Sequence, residues 1–172
     1  GHDNYGGDSS TVASDLTSGV SQISSTNQAF AAIKNDGSVI TWGFSGAGGD
    51  SSSVAGDLTS GVSEVFSNQV AFAALKDDGS LITWGNGGYG GNSSTVASDL
   101  TAGVTEVHGN NYAFSALKDD GSVATWGDDN YGGDSSAVAS DLASGVSKIF
   151  STNSAFAALK DDGSVVTWGM DG

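Results

Sequence analysis

Few side chains in this chain could do chemistry, and they do not form a catalytic set. There are two histidines and no cysteine, so a thiolate nucleophile and thiolate metal ligands are absent. His108 could serve as a general base, but no serine and aspartate at triad spacing accompany it, and a packed or edge-exposed imidazole is the alternative. The glycine-rich stretches lack the lysine of a phosphate loop. We therefore expect neither enzymatic activity nor a cofactor.

The best candidate for a metal site is the acidic segment 128–134, which reads Asp-Asp-Asn-Tyr-Gly-Gly-Asp. Oxygen ligands at alternating positions suit Ca²⁺. However, Gly132 stands where a third ligand is needed, and Ala139 stands where the bidentate glutamate of a calcium loop belongs. Turn formation explains the same residues, because Asp and Asn side chains bond their own backbone. We favour the turn and predict no metal site.

These residues lie within a repeat that organises the whole chain. The tryptophans are spaced 42 residues apart, at Trp42, Trp84, Trp126 and Trp168. A period of this size is typical of an array of supersecondary units, none of which buries its apolar face alone. The units are residues 1–42, 43–84, 85–126 and 127–168, within one domain covering 1–172. Gly1 and His2 are expected to be a remnant of cloning.

Each unit predicts three strands. In the second unit, 62–66 alternates apolar and polar residues, as a half-buried strand does. The run 71–75 is apolar on both faces, and 80–84 is rich in β-branched and aromatic residues. The turn between these two runs contains Gly79, which can adopt the positive φ of a tight hairpin. The equivalent glycines are Gly37, Gly121 and Gly163.

A strand that is apolar on both faces must be covered on both sides. A ring of small sheets packed face to face provides that cover, and Ala73 and Ala74 would let neighbouring sheets approach closely. The sequence therefore predicts an all-β fold, a β-propeller with one antiparallel blade of three to four strands per 42-residue repeat. The tryptophans would wedge between adjacent blades.

The segment between blades leaves two interpretations open. Ser and Asp residues could cap a short helical turn around Val54 and Leu58, or the segment could begin with an outer fourth strand. In either case we expect the periodic leucines to anchor this crossover to its blade. They are Leu16, Leu58, Leu100 and Leu142.

The order of strand, turn and Trp-Gly in 155–169 resembles the repeat of the regulator of chromosome condensation superfamily. The segments 131–133 (Tyr-Gly-Gly) and 144–146 (Ser-Gly-Val) are still more similar to the short repeats of the β-lactamase inhibitory protein II type. The resemblance covers all four units and implies a propeller of meandering antiparallel blades. Family members usually form seven blades, the inhibitor branch has a proline in its crossover, and the chromatin-associated branch has basic features; this chain departs from all three. The resemblance therefore implies the fold and not a function.

Four units leave the closure of the ring open. One chain could close as a small propeller, or two chains could form an eight-bladed ring, since propellers span about four to eight blades. Near-identical units favour self-association, because the last blade of one chain offers the first blade of another the same packing surface that neighbouring blades share. We favour the homodimer, and a piece of a longer natural array is the further alternative.

Charge excludes several classes of partner. Twenty acidic residues against five lysines and no arginine give a net charge of −15. Nucleic acids are not expected as partners, because binding them requires clustered basic residues. Membranes are not expected either, because anionic surfaces repel this chain and no apolar stretch reaches the ~20 residues of a spanning helix. The compartment is unknown, with an extracellular or cell-surface location slightly favoured.

The units differ most in two loops, 26–28 and 44–47 in the first unit and their equivalents in the others. In an antiparallel meander these loops emerge at the same end of the blade. The candidate binding residues on them are Phe44, Tyr89, Asn111, Tyr112 and Tyr131. Exposed aromatics among Asn and Gly are typical of an adaptable contact surface, although loops that merely tolerate drift would look the same. We predict a non-catalytic propeller that acts as a structural scaffold or binds an unknown protein; carbohydrate binding is the alternative.

Overall fold

The computed structural model describes residues 5–170, so Gly1 and His2 lie outside the described residues. Within these residues, twelve strands form four separate three-stranded antiparallel sheets, one in each repeat. The strands are β1 Val20–Ser25, β2 Ala29–Lys34, β3 Val39–Gly43, β4 Val62–Ser67, β5 Ala71–Lys76, β6 Leu81–Gly85, β7 Val104–Gly109, β8 Ala113–Lys118, β9 Val123–Gly127, β10 Val146–Ser151, β11 Ala155–Lys160 and β12 Val165–Gly169. We name the sheets blades 1 to 4 in chain order. The prediction of an all-β propeller is confirmed.

Each blade is a meander in which the middle strand pairs with both of its sequence neighbours. The first strands of successive blades contact one another, β1 with β4, β4 with β7 and β7 with β10. The first strand of every blade is therefore the inner one, and the third strand lies at the outer edge. This radial order is that of a propeller.

The turn between the second and third strands has the geometry expected of it. Gly79 has a φ of 77°, and the carboxylate of Asp78 accepts hydrogen bonds from the backbone N–H of Ser80 at 2.9 Å and its hydroxyl at 2.6 Å. The equivalent glycines, Gly37, Gly121 and Gly163, have φ values of 75°, 77° and 85°. A positive φ strains any residue with a Cβ atom, which explains why the repeat keeps glycine at this position.

The core lies between blades rather than within them. Between blades 1 and 2, Ala31 and Ile33 pack against Phe72, Ala74 and Trp84. Each indole also donates a hydrogen bond to a glycine carbonyl in the crossover that precedes its blade. The donor and acceptor residues are Trp42 and Gly6, Trp84 and Gly48, and Trp126 and Gly90, each at 3.0 Å. In blade 4 they are Trp168 and Gly132, at 3.2 Å. Trp84, Trp126 and Trp168 therefore lie between blades, as predicted, whereas Trp42 lies on the open side of blade 1.

The crossover segments contain short 3₁₀ helices, so the helical turn is the correct one of the two interpretations. They span Ser10–Val12, Ser45–Ala47, Ser52–Val54, Gly87–Tyr89, Ser94–Leu100, Asp129–Tyr131 and Ser136–Val138. No sheet in residues 5–170 has a fourth strand. Leu58, Leu100 and Leu142 are buried against the blades, whereas Leu16 is only half-buried. None of the helices in this range could cross a bilayer.

The outward faces of the first and last blades are open. Ile23 in β1 is 60% exposed, whereas Val65 at the same position of blade 2 is 5% exposed. Val165 in β12 is 61% exposed, whereas Leu81 in β6 is 6% exposed. Blades 1 and 4 therefore do not cover each other. A single chain does not close into a small ring, which was one of the two closures considered from the sequence.

Candidate functional site

The two varied loops of each blade lie at the same end, as predicted, and backbone hydrogen bonds join them. The loop that leaves the third strand donates to the loop that joins the first two. The bonds run from Phe44 N–H to Gln28 O at 2.9 Å, and from Asn86 to Val70, Asp128 to Tyr112 and Met170 to Ser154 at 3.0 Å. We call the surface formed by these loops the loop face.

Two buried asparagines fix the loops of the central blades. The Oδ1 atom of Asn68 accepts from the backbone N–H groups of Val70 and Ala71, at 2.9 and 2.8 Å. Its Nδ2 atom donates to Tyr89 O at 2.6 Å, which ties the first loop of blade 2 to the crossover that follows. Asn110 repeats this arrangement with Tyr131 O, also at 2.6 Å. Because both polar atoms of each amide have internal partners, these asparagines position the loops.

Sequence reasoning missed the positioning role of these asparagines. The position is held by Thr26 in blade 1, whose hydroxyl accepts from Ala29 N–H at 3.0 Å and lies 3.1 Å from Ala47 O. Thr and Asn both accept hydrogen bonds from backbone N–H groups two or three residues onward. This shared capacity was the signal in the sequence, although the second bond, to a loop 21 residues away, depends on the tertiary fold.

Three tyrosines from three different loops form one continuous row. The ring centroids of Tyr89 and Tyr112 lie 4.6 Å apart, and those of Tyr112 and Tyr131 lie 4.7 Å apart in an edge-on arrangement. Tyr89 is 36% exposed, and the other two rings are half-buried. The backbone carbonyls of the outer two are held by Asn68 and Asn110. We call these three residues the tyrosine row.

The structure does not bring the other two predicted residues into the row. Phe44 is 42% exposed, and its ring covers the backbone of its own loop at Gly46. Asn111 precedes Tyr112 but lines the central mouth of the propeller, and its backbone N–H donates to Asn153 O at 3.1 Å. The five predicted residues thus divide into one cluster of three and two separate positions.

The central mouth is an open polar cavity of about 440 Å³. All four blades line it with the ends of their inner strands and the residues that follow. The lining residues are Ser25, Thr26, Asn27, Ser67, Asn68, Gln69, Gly109, Asn110, Asn111, Ser151, Thr152 and Asn153. None of them is charged, so the mouth offers hydrogen-bonding groups but no general acid or base.

Within residues 5–170, the titratable side chains singled out in the sequence have local partners. His108 Nε2 lies 3.3 Å from a carboxylate oxygen of Glu106 on the same inner strand, and both side chains are partly exposed. The Asp128 carboxylate accepts from the N–H of Asn130 at 2.9 Å. A hydrogen bond from the backbone of Ser136 lowers the pKa of Asp134 below its ordinary value. The carboxylates of the former calcium candidate thus serve turns, and residues 5–170 contain no group of three or more His or acidic residues placed to hold a metal.

No protein-family model matches the chain, and no curated protein sequence matches it significantly. Its fold matches solved propellers. Human WBSCR16 aligns with a TM-score of 0.53 at 21% identity, over 90% of this chain and 48% of that one. Yeast RCC1 (Prp20), solved bound to Kap60, aligns with a TM-score of 0.59 at 18% identity, over 87% and 43%. The CRINKLY WD40 ectodomain of the Arabidopsis thaliana receptor kinase ACR4 aligns with a TM-score of 0.50 at 14% identity, over 86% and 50%.

These similarities establish the fold, a β-propeller similar to those of WBSCR16 and Prp20. The chain spans about half the length of the structures it matches. The resemblance of its repeats to the regulator of chromosome condensation superfamily is thereby supported at the level of structure. The finer similarity to the β-lactamase inhibitory protein II type stays a prediction.

Proposed function

We propose that this protein is a non-catalytic propeller that binds another protein through its loop face, with the tyrosine row at the centre of contact. The observation that carries this proposal is the row itself, three contiguous aromatic rings contributed by loops of two blades. Tyrosines supply large and rigid contact area at low entropic cost, and they are enriched where interfaces gain most of their affinity. The hydrogen bonds of Asn68 and Asn110 keep this surface ordered before binding.

Two further observations support a protein as the ligand. Yeast Prp20, a propeller of similar fold, is described in complex with Kap60 and with binding properties toward Gsp1p and histones. The net charge of −15 would steer association toward a partner with a basic surface. The residues of the row would then provide the apolar contact at the centre, surrounded by Asn, Ser and Gly.

The test compares a tyrosine inside the row with an exposed tyrosine outside it. Proteins captured from extracts would be purified and titrated against the chain and its variants. We expect Tyr112→Ser, at the middle of the row, to weaken binding by tenfold or more, as the loss of a central aromatic does. Tyr5→Ser is the control, because Tyr5 is exposed at the position of Tyr89 in another repeat. Equal affinity of both variants for every captured protein would contradict the proposal.

Carbohydrate binding is the second candidate, favoured by one observation. The uncharged mouth lined by Ser, Thr, Asn and Gln opens on the same face as the tyrosine row. Aromatic rings stack on sugars and amides bond their hydroxyl groups, so the two features could serve one oligosaccharide. A glycan array probed with the chain and with Tyr112→Ser separates this candidate from the first. Array signals that the substitution removes would favour it, and an array without signals would end it.

We also propose that the chain associates with another copy of itself to complete the ring. The exposed outer faces of blades 1 and 4 support this, since an isolated arc leaves apolar surface in water. Completing the ring would present two loop faces side by side on one scaffold.

A further inference from the structure

The three interfaces inside the chain are built alike, and each has two complementary sides. Toward the following blade, a blade presents residues such as Ala73, Leu81 and Phe66. Toward the preceding blade, it presents residues such as Val107 and Phe114, together with Leu100 of its crossover segment. We call these the trailing side and the leading side. Every interface in the chain joins one of each.

One trailing side and one leading side remain unused. The trailing side of blade 4 exposes Phe150, at 55%, and Val165. The leading side of blade 1 exposes Ile23 and leaves Phe30 half-buried, although Phe72 at the same position of blade 2 is fully covered. The two open surfaces are therefore the two halves of a fourth interface of the same kind.

We propose that the trailing side of blade 4 docks on the leading side of blade 1 in a second copy of this chain, and that two copies joined twice in this way form a ring of eight blades. This inference rests on the self-association proposed above and identifies the surfaces that carry it. The contact is head-to-tail, and it closes because each chain offers one side of each kind. Eight blades lie within the range of about four to eight found in propellers.

A chain of backbone hydrogen bonds around the central mouth shows how the junction is aligned. At one repeat position, each blade donates from its N–H group to the carbonyl of the next blade. The bonds are Asn27 to Gln69 at 2.9 Å, Gln69 to Asn111 at 3.3 Å and Asn111 to Asn153 at 3.1 Å. Within residues 5–170, Asn153 N–H has no acceptor and Asn27 O has no donor. In the ring, Asn153 N–H of one copy donates to Asn27 O of the other, so the two loose ends satisfy each other.

The inner strands provide a second bond of the same type. The Ser67 hydroxyl donates to Ser25 O of the preceding blade at 2.8 Å, and the Ser151 hydroxyl donates to Gly109 O at 3.2 Å. Ser25 occupies the same repeat position as Ser67 and is exposed. Its hydroxyl would therefore donate to Ser151 O of the second copy. The open sides of blades 1 and 4 thus offer the same apolar contacts and the same hydrogen-bonding groups as the interfaces inside the chain. A second copy of this chain fits both sides for that reason.

The experiment measures the mass of the chain and of variants that charge each open side. Light scattering at physiological salt should give twice the chain mass of 17.0 kDa. Ile23→Asp and Val165→Asp should each reduce the mass to that of one chain, since an acidic group would be buried beside the other copy. Both residues are exposed in the single chain, so the variants should keep their fold, which circular dichroism would check. The control is Ala137→Asp, which adds the same charge on an exposed turn between blades 3 and 4 and should leave the dimer intact.

Each other result has a defined meaning. A wild-type mass of one chain would overturn both this inference and the proposed self-association. A dimer that survives both substitutions would leave self-association standing and would show that it uses other surfaces. In a Ser25→Cys, Ser151→Cys double variant, a short thiol-reactive crosslinker should produce covalent dimers, because the chain has no other cysteine. A ladder of longer products would show an open filament and would overturn the closed ring. Tyr112→Ser should remain dimeric, which separates this inference from the proposed role of the loop face.

Discussion

Blades 2 and 4 contain the same middle strand in different surroundings. The sequence Ala-Phe-Ala-Ala-Leu-Lys forms both β5 and β11. In β5 the first four residues are buried, whereas in β11 only Phe156 and Ala158 are buried. These two point toward the preceding blade, which both blades have, and the others point toward a following blade, which blade 4 lacks. Because the sequences are identical, burial is determined by position in the array and not by the repeat itself.

The comparison predicts that the same substitution has different costs in different blades, and tryptophan gives the largest difference. Trp84 is buried between blades 1 and 2 and stacks on Phe72 at 5.2 Å, whereas Trp42 is half-buried on the open side of blade 1. We expect Trp84→Ala to lower the free energy of unfolding by about 4 kcal/mol, as removal of a buried aromatic does. Trp42→Ala should cost about half as much in the isolated chain, because part of its surface already faces water.

Urea unfolding of both variants under conditions where the chain is monomeric would measure this difference. Equal losses under these conditions would contradict the predicted difference between the two blades. If the ring of two chains forms, the cost of Trp42→Ala should rise toward that of Trp84→Ala at high protein concentration, because docking would bury its ring.

The glycine of the Asp-Gly turn gives the next largest difference. A Cβ atom at Gly79 would lie 2.8 Å from the backbone nitrogen of Gly103, whereas one at Gly163 would meet nothing within 4 Å. Both have a positive φ, so alanine should cost about 1 kcal/mol at either site through backbone strain. We expect Gly79→Ala to cost at least about 1 kcal/mol more, because the turn must also move away from blade 3. Thermal unfolding of the two variants measures the difference, and a smaller loss at Gly79 would contradict it.

Features that follow from one repeat could be predicted from the sequence. The Asp-Gly turn and the wedged tryptophan depend on residue types that recur at the same position, such as Gly79 and Trp84. The choice between a helical turn and a fourth strand around Val54 could not be made, because Ser and Asp bond the local backbone in either conformation. In the structure the Asp50 carboxylate accepts from Ser52 N–H at 2.9 Å, and the segment continues as the 3₁₀ helix Ser52–Val54.

Features that depend on contacts between repeats were less predictable. Tyr89, Tyr112 and Tyr131 were all predicted as binding residues, but their contact could not be, since it joins loops of two blades. Phe44 belongs to the same set by composition and lies apart from the row. The hydrogen bond from Asn68 to Tyr89 O also joins two separate loops, so it could not be predicted from one repeat. Periodicity identifies equivalent positions, but the distance between neighbours comes only from the packed array.

Ser115 offers a smaller test, at a position where the repeat otherwise has alanine. It lies in β8 between blades 3 and 4, fully buried, and its hydroxyl has no hydrogen-bond partner within residues 5–170. An unpaired buried hydroxyl is destabilising, so Ser115→Ala should raise the free energy of unfolding by about 1 kcal/mol. The reverse change, Ala73→Ser in blade 2, should lower it by a similar amount, and Ala157→Ser on the open side of blade 4 should have little effect. Denaturant midpoints of the three variants measure this series, and a loss on Ser115→Ala would show that the hydroxyl is satisfied in solution.

The smallest expected effect is the pH dependence contributed by the aspartates of the Asp-Gly turns. It should be equal in all blades, because it depends on contacts within one turn. Hydrogen bonds from the hydroxyl and backbone of Ser80 lower the pKa of Asp78 below 3.8, and Ser164 does the same for Asp162. Because the folded carboxyl has the lower pKa, the unfolded chain binds more protons in this range, and stability rises with pH. The contribution is therefore complete above pH 3.8 and is lost as the pH falls through the folded pKa.

Asparagine at either site removes this titration, so Asp78→Asn and Asp162→Asn should flatten the acid limb of the stability curve by equal amounts. Both carboxylates accept a hydrogen bond from a serine backbone N–H, at 2.9 and 2.8 Å, and both face water, so the missing blade beside Gly163 should not matter. Urea titrations between about pH 2 and pH 5 measure the slopes. A steeper loss at Asp78 would mean that its turn also depends on the Val104 N–H to Gly79 O hydrogen bond, at 3.0 Å, with blade 3. Position in the array would then govern even the exposed turns.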